Sequence, residues 1–97
     1  MVVGVCRITI HLPGAHSLKE KRRVVRSLTA RVRSRFNVSI AEVDDLDLWQ
    51  SAGIAFVCVS NSTGHVDDTM QTVVRFIEGN LLDGFIADVA TEVLHLA

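Results

Sequence analysis

One proline, no tyrosine and one tryptophan occur in 97 residues, and aromatic side chains make up only 5% of them. A lone proline excludes a proline-rich linker or polyproline segment. So few rings exclude a surface that stacks several nucleotides on aromatic faces. No apolar run approaches the ~20 residues that a membrane-spanning helix requires, and no membrane partner is expected. Cysteine is scarce too: Cys6 and Cys58 stand far apart, with no CxxC and no Cys/His spacing that would hold a metal. A glycine-rich phosphate loop is missing, as is any nucleophile set beside a base and an orienting acid. The first third also lacks negative charge: Glu20 is the only acid before residue 37.

What is present divides sharply by charge. Residues 1–36 carry nine Lys/Arg against that one acid, a net +8, and residues 37–97 carry Arg75 against ten acids, a net −9, which together give the chain's −1. Segregation of this kind concerns partners and association rather than fold. With 48% hydrophobic and 22% charged residues, residues 1–97 are expected to form one soluble, packed domain. MVVGVC reaches Arg7 with no basic leader and no cleavage site, so no signal peptide is expected and a cytoplasmic setting with reduced thiols follows.

Six elements are readable from periodicity. Residues 2–12, VVGVCRITIHL, predict a strand with Cys6, Ile8, Ile10 and Leu12 on an apolar face and Val5, Arg7, Thr9 and His11 on the other. Pro13-Gly14 breaks it. Ser17 three residues before Glu20 is a capping-box signature, and the helix it opens runs to Phe36, with Leu18, Val25, Leu28, Val32 and Phe36 on one side and Val24 at the margin. VSIAEV (38–43) and GIAFVCVS (53–60) predict strands around the polar link DDLDLWQS. Val66, Met70, Val73, Val74 and Ile77 space a second buried helical stripe, with Asp67 and Asp68 expected in its first turn, where the dipole favours negative charge. FIADVATEVLHL (85–96) supplies the last strand. This order predicts an α+β, ferredoxin-like βαββαβ fold, a four-stranded antiparallel sheet with two helices on one face.

The charge collects on the first helix. On a helical wheel Lys19, Arg22, Arg26 and Arg33 fall within about 60° of one another, with Arg23 beside them, opposite the apolar arc. Arg31 and Arg35 flank that arc, and Lys21 points towards it, its stem packing while its ammonium snorkels out. A solvated helix face usually mixes signs, whereas unpaired like charges at these spacings cost a few tenths of a kcal/mol per pair. Two explanations compete with plain solvation: a polyanionic partner such as RNA, and pairing with the chain's own Asp44, Asp45 and Asp47. Arginine outnumbers lysine eight to two, and guanidinium forks suit phosphate and exposed bases.

Other candidates are thinner. The third strand matches part of the RNA-recognition-motif pattern through Gly53, Ala55, Phe56 and Val57, but Ile54 takes one stacking position and the first strand offers Arg7, Thr9 and His11. An open sheet face carrying Val3, Val5, Ile54, Phe56 and Cys58 predicts burial in a homo-oligomer. Glu42, Asp44, Asp45 and Asp47 form an acidic cluster without the glycine or distal glutamate of a calcium loop, and read as a solvated turn. The arginine-bearing glycine loop of acylphosphatases, which share the fold, is replaced by HLPGAHS. Trp49 is expected to anchor the link onto the domain or to sit at an interface rim.

At SLKEKRRVVRSL, AEVDDLDLWQSA and IAFVCVSN the chain resembles the YlxP-like family of small uncharacterised bacterial proteins, over essentially its whole length. The resemblance implies a ferredoxin-like fold, a bacterial cytosolic setting and, through genes neighbouring translation and ribosome-maturation genes, a connection to RNA or the ribosome. It supplies no catalytic residue. The family's residue after WQ is often arginine, and Ser51 stands there instead. Residues and resemblance together predict a non-enzymatic accessory protein with no cofactor and no metal. It engages structured RNA or a ribosomal particle through Lys19, Arg22, Arg23, Arg26 and Arg33, with Arg7 as an addition from the sheet face. The alternative is a homo-oligomeric interaction or scaffold module that binds no nucleic acid.

Overall fold

The computed structural model describes residues 1–97. Strand β1 (Val2–His11) leads to helix α1 (Leu18–Arg35), strands β2 (Ser39–Asp44) and β3 (Ser51–Ser60), helix α2 (Thr63–Gly79) and strand β4 (Phe85–His95). The strands form one antiparallel sheet in the order β2-β3-β1-β4. The chain is thus ferredoxin-like α+β, and no helix is long and apolar enough to cross a membrane.

Alternation decides what the sheet buries. Cys6, Ile8 and Ile10 of β1 face the helices beside Phe56, Ile54 and Ala52 of β3, to which they are directly paired. α1 contributes Val25, Leu28 and Val32 to this core, and α2 contributes Val66, Met70, Val73 and Ile77. Each such side chain fully buried is worth about 1.5–3 kcal/mol relative to exposure, which makes this the main stabilising contact in the molecule. Both cysteines are free and buried in it. Desolvation, then the neighbouring Cys58, raises the Cys6 thiol to about 11, and desolvation also raises Cys58.

Register corrects the expected open face. Ile54, Phe56 and Cys58 are core residues, Phe56 fully buried, so the only ring near a stacking position points into the helix layer. The open face shows Val3 and Val5 with Val57, Val59 and Leu94 instead, their pairings placing them side by side across three strands.

The helix starts are set by caps. Ser17 Oγ accepts from Glu20 N at 3.1 Å, and the Glu20 carboxylate reaches back one residue further than a standard capping box, accepting from His16 N at 2.7 Å. α2 begins at Thr63, capped by Ser62, which is earlier than its apolar spacing suggests. Asp67 and Asp68 therefore lie beyond its first turn, out of effective reach of the dipole.

Candidate functional site

The basic segment divides into residues that the fold uses and residues it leaves free. Lys21 is used completely. Its side chain is fully buried, so the ammonium does not snorkel out as expected. Nζ donates to the carbonyl oxygens of Asp45 at 2.7 Å and of Leu46 and Ser51 at 3.3 Å. Those three bonds exhaust its donors. Glu42 Oε2, buried and without a hydrogen-bond partner, lies 2.9 Å from Nζ and supplies the counter-charge. The two stretches SLKEKR and EVDDLDLWQS, far apart in sequence, thus meet at one buried cation. It holds the β2–β3 link in place, with Asp45 at φ 58° to turn the carbonyls inward. Gln50 clamps the same link to the β1–α1 loop, its amide donating to Pro13 O and Ala15 O, both at 3.1 Å.

Four more cations are engaged. Arg33 Nη2 donates to Ile40 O at 2.9 Å, so this expected phosphate contact instead folds back over β2. Arg31 bonds Asn80 Oδ1 and Ser27 Oγ at 3.0 and 3.1 Å, and Arg35 lies 5.3 Å over the Phe76 ring. Arg7, on the open face, pairs with Asp44 at 3.3 Å.

Lys19, Arg22, Arg23 and Arg26 remain. All four are exposed, and their side chains make no hydrogen bond or ion pair within the chain. The acidic link does not answer them: Asp44 goes to Arg7, Asp45 Oδ2 accepts from Ser51 Oγ at 2.8 Å, and Glu42 serves Lys21. Their spacing of three and four residues lines them along the solvent side of α1 for two turns. Ser17 fixes where that stripe begins.

Arg23 also borders a groove of about 430 Å³ between α1 and the segment joining α2 to β4. Val24, Leu28, Leu12 and Leu81 line it, and Arg31 stands on the same side. Sequence reasoning found the four stripe residues from their spacing but missed this groove, because residues 80–83 come to α1 only through the fold. Trp49 is 54% exposed and Leu46 and Leu48 are comparably open, so the tryptophan does not anchor the link. Lys21 and Gln50 perform that task.

The chain matches the family model described as "Protein of unknown function (DUF503)" over residues 3–91. It is 35% identical over 77 residues to "Uncharacterized protein YlxP" of Bacillus subtilis (strain 168), an alignment covering 79% of this chain and 84% of that protein. The capped basic helix, the link it pins and the ferredoxin-like sheet that carries both are those of a chain that belongs to the YlxP-like DUF503 family.

Proposed function

We propose that the protein is a cytoplasmic, non-enzymatic RNA-binding accessory factor whose phosphate-contacting surface is the outer side of α1. The supporting observation is the contrast within one segment. Five of its cations have partners inside the chain, whereas Lys19, Arg22, Arg23 and Arg26 have none and stand in a row. Unpaired like charges at these spacings repel one another, and a polyanion relieves that repulsion while the cations displace the counterions condensed on its phosphates. Arginine in three of the four positions suits bidentate phosphate contact. Two free buried thiols suit a reducing compartment. Structured RNA, in a ribosomal particle or alone, is the partner that this surface and the family resemblance favour together.

Fluorescence anisotropy against a labelled, structured RNA over a salt series tests this reading. Affinity is expected to fall with log salt with a slope of about −3, one unit for most of the stripe cations. A triple Arg22→Glu, Arg23→Glu, Arg26→Glu variant, folded by circular dichroism, is expected to lose binding. Arg33→Gln is expected to keep most of it. Absence of binding by the wild type at low salt overturns the proposal.

A further inference from the structure

β4 is the last strand on its side of the sheet and one of the longest, with eleven residues. Its backbone polarity can be worked out from its end. Met1 and Leu96 exchange two hydrogen bonds, Leu96 N to Met1 O at 2.8 Å and the Met1 amine to Leu96 O at 2.9 Å. Exchanging and non-exchanging pairs alternate along an antiparallel ladder. By the register of β1 with β4, Leu94, Glu92, Ala90 and Asp88 therefore turn their N–H and C=O groups towards β1. His95, Val93, Thr91 and Val89 turn theirs outward, to an edge that no other strand covers.

The faces of the strand are only partly covered, by the core contacts of Ile86 and Val93. α2 is drawn down onto β1, so Val89 stays 40% exposed on the helix side of β4, and Leu94 is 39% exposed on the other. A long edge with unpaired backbone and apolar residues on both faces is a template for another strand.

We infer that this edge pairs with β4 of a second copy, antiparallel about a twofold axis at Thr91, to make one continuous sheet of two chains. The charges of the strand suit a second copy in this register. With the axis at Thr91, Val89 lies opposite Val93 of the second copy, Asp88 opposite Leu94, and Glu92 opposite Ala90. Moving the axis to Ala90 sets Asp88 against Glu92, and moving it to Glu92 sets that carboxylate against itself. Directly opposed like charges destabilise a ladder. The Thr91 register avoids them and brings the outward groups of Val89, Thr91 and Val93 together in about six hydrogen bonds. The twofold axis stands perpendicular to the sheet, so both α1 helices lie on the same side of the dimer. At strand spacing the two basic stripes are on the order of 30 Å apart. This interface stands independently of RNA binding, because its readout is the mass of the particle.

The test is size-exclusion chromatography with light scattering at protein concentrations up to about 100 µM, where a dimer of at least micromolar affinity is fully formed. The wild type is expected to be a dimer. Thr91→Lys places two ammonium groups face to face on the axis and is expected to weaken association about tenfold or more. Thr91→Pro removes only an outward N–H, the one place an edge strand accepts proline, and is expected to be a monomer with an unchanged circular dichroism spectrum. Mixing Thr91→Lys with Thr91→Glu is expected to restore a dimer of one copy of each. A monomeric wild type overturns the proposal, as does a Thr91→Lys variant that dimerises as well as the wild type. A mixture that stays monomeric overturns the register.

Discussion

The two edges of the sheet are treated in opposite ways. β2 has six residues and a bulge between Glu42 and Asp44, and α1 lies against it. By the same alternation its outward-facing residues are Ile40 and Glu42. Arg33 caps the Ile40 carbonyl, and Lys21 neutralises the Glu42 carboxylate. β4 has eleven residues, no cation of α1 bonded to it and faces covered only in part, by the core contacts of Ile86 and Val93. The basic segment therefore has two tasks. Some of its long side chains close the β2 edge and fix the link beyond it, while the rest stand free. The difference shows that the +8 of the first third is not held by ion pairs with the −9 of the remainder. Only two such pairs form, Arg7–Asp44 and Lys21–Glu42.

Removing Lys21 is the strongest way to break this contrast. Lys21→Met keeps most of the stem but leaves three carbonyls without a donor and Glu42 with a buried, uncompensated charge. Breaking a buried pair in this way typically destabilises by about 3–5 kcal/mol. Urea unfolding of Lys21→Met is expected to show a loss in that range. Adding Glu42→Gln is expected to recover part of it, since the orphaned charge is removed. A loss under about 1 kcal/mol would mean that the link holds itself and that the ammonium is incidental.

The bare edge follows from how closely α2 approaches β1. A Cβ at Gly4 would lie 2.5 Å from Val66 Cγ1, 3.0 Å from Met70 Sδ and 3.2 Å from Cys58 Sγ. Only a glycine lets the helix sit there. Gly4→Ala is expected to cost about 2–3 kcal/mol in thermal or denaturant unfolding, towards the upper part of the overpacking range because several neighbours must move at once. An effect below about 1 kcal/mol would show that α2 shifts easily, so that its position is not what leaves β4 uncovered.

Much of the architecture was legible because its two periods are clean. β1 alternates, α1 repeats its apolar residues on one side, and Ser17 with Glu20 marks a start that the structure places at Leu18. The inward face of β3 was not legible, because Ile54, Phe56 and Cys58 are no more apolar than Ala55, Val57 and Val59. The pairing of Cys6 with Phe56 decides it, and pairing is a long-range fact. The helical spacing puts Lys21 near the apolar arc, but its destination depends on carbonyls 24 to 30 residues further along the chain. Arg33 has the spacing of a stripe residue, yet an unpaired edge carbonyl within reach captures it. The free cations could be read as a spacing. Which of them stay free could not.

The covered half of the sheet should also respond to pH where the thiols titrate. Desolvation first, and then the neighbouring Cys58, push the Cys6 thiol up from its ordinary 9.0 to about 11 in the folded chain. The unfolded chain releases the thiol proton first, so this contribution is whole below pH 9 and disappears as pH rises through the folded value. Stability is expected to fall by up to about 2 kcal/mol between pH 9 and 11. Cys6→Ala, although less stable at neutral pH through its cavity, is expected to flatten that slope. An equally steep slope in the variant would assign the loss to other groups.

The smallest expected effect bears most directly on the contrast between the edges. Arg33→Gln shortens the side chain and removes the donor to Ile40 O, at a part-buried site where water can replace it only incompletely. A hydrogen bond from a charged donor contributes about 1.5–3 kcal/mol when buried and less where solvent enters, so a loss of about 1 kcal/mol is expected. The same change leaves Lys19, Arg22, Arg23 and Arg26 in place, and so should leave the salt slope of RNA binding nearly unchanged. Equilibrium unfolding and the anisotropy series measured on this one variant separate the two tasks of the helix. Lost stability with retained binding places Arg33 with Lys21 among the residues that close β2. Retained stability with a salt slope reduced by about one unit returns it to the stripe, and the division between used and free cations would have to be redrawn at that residue.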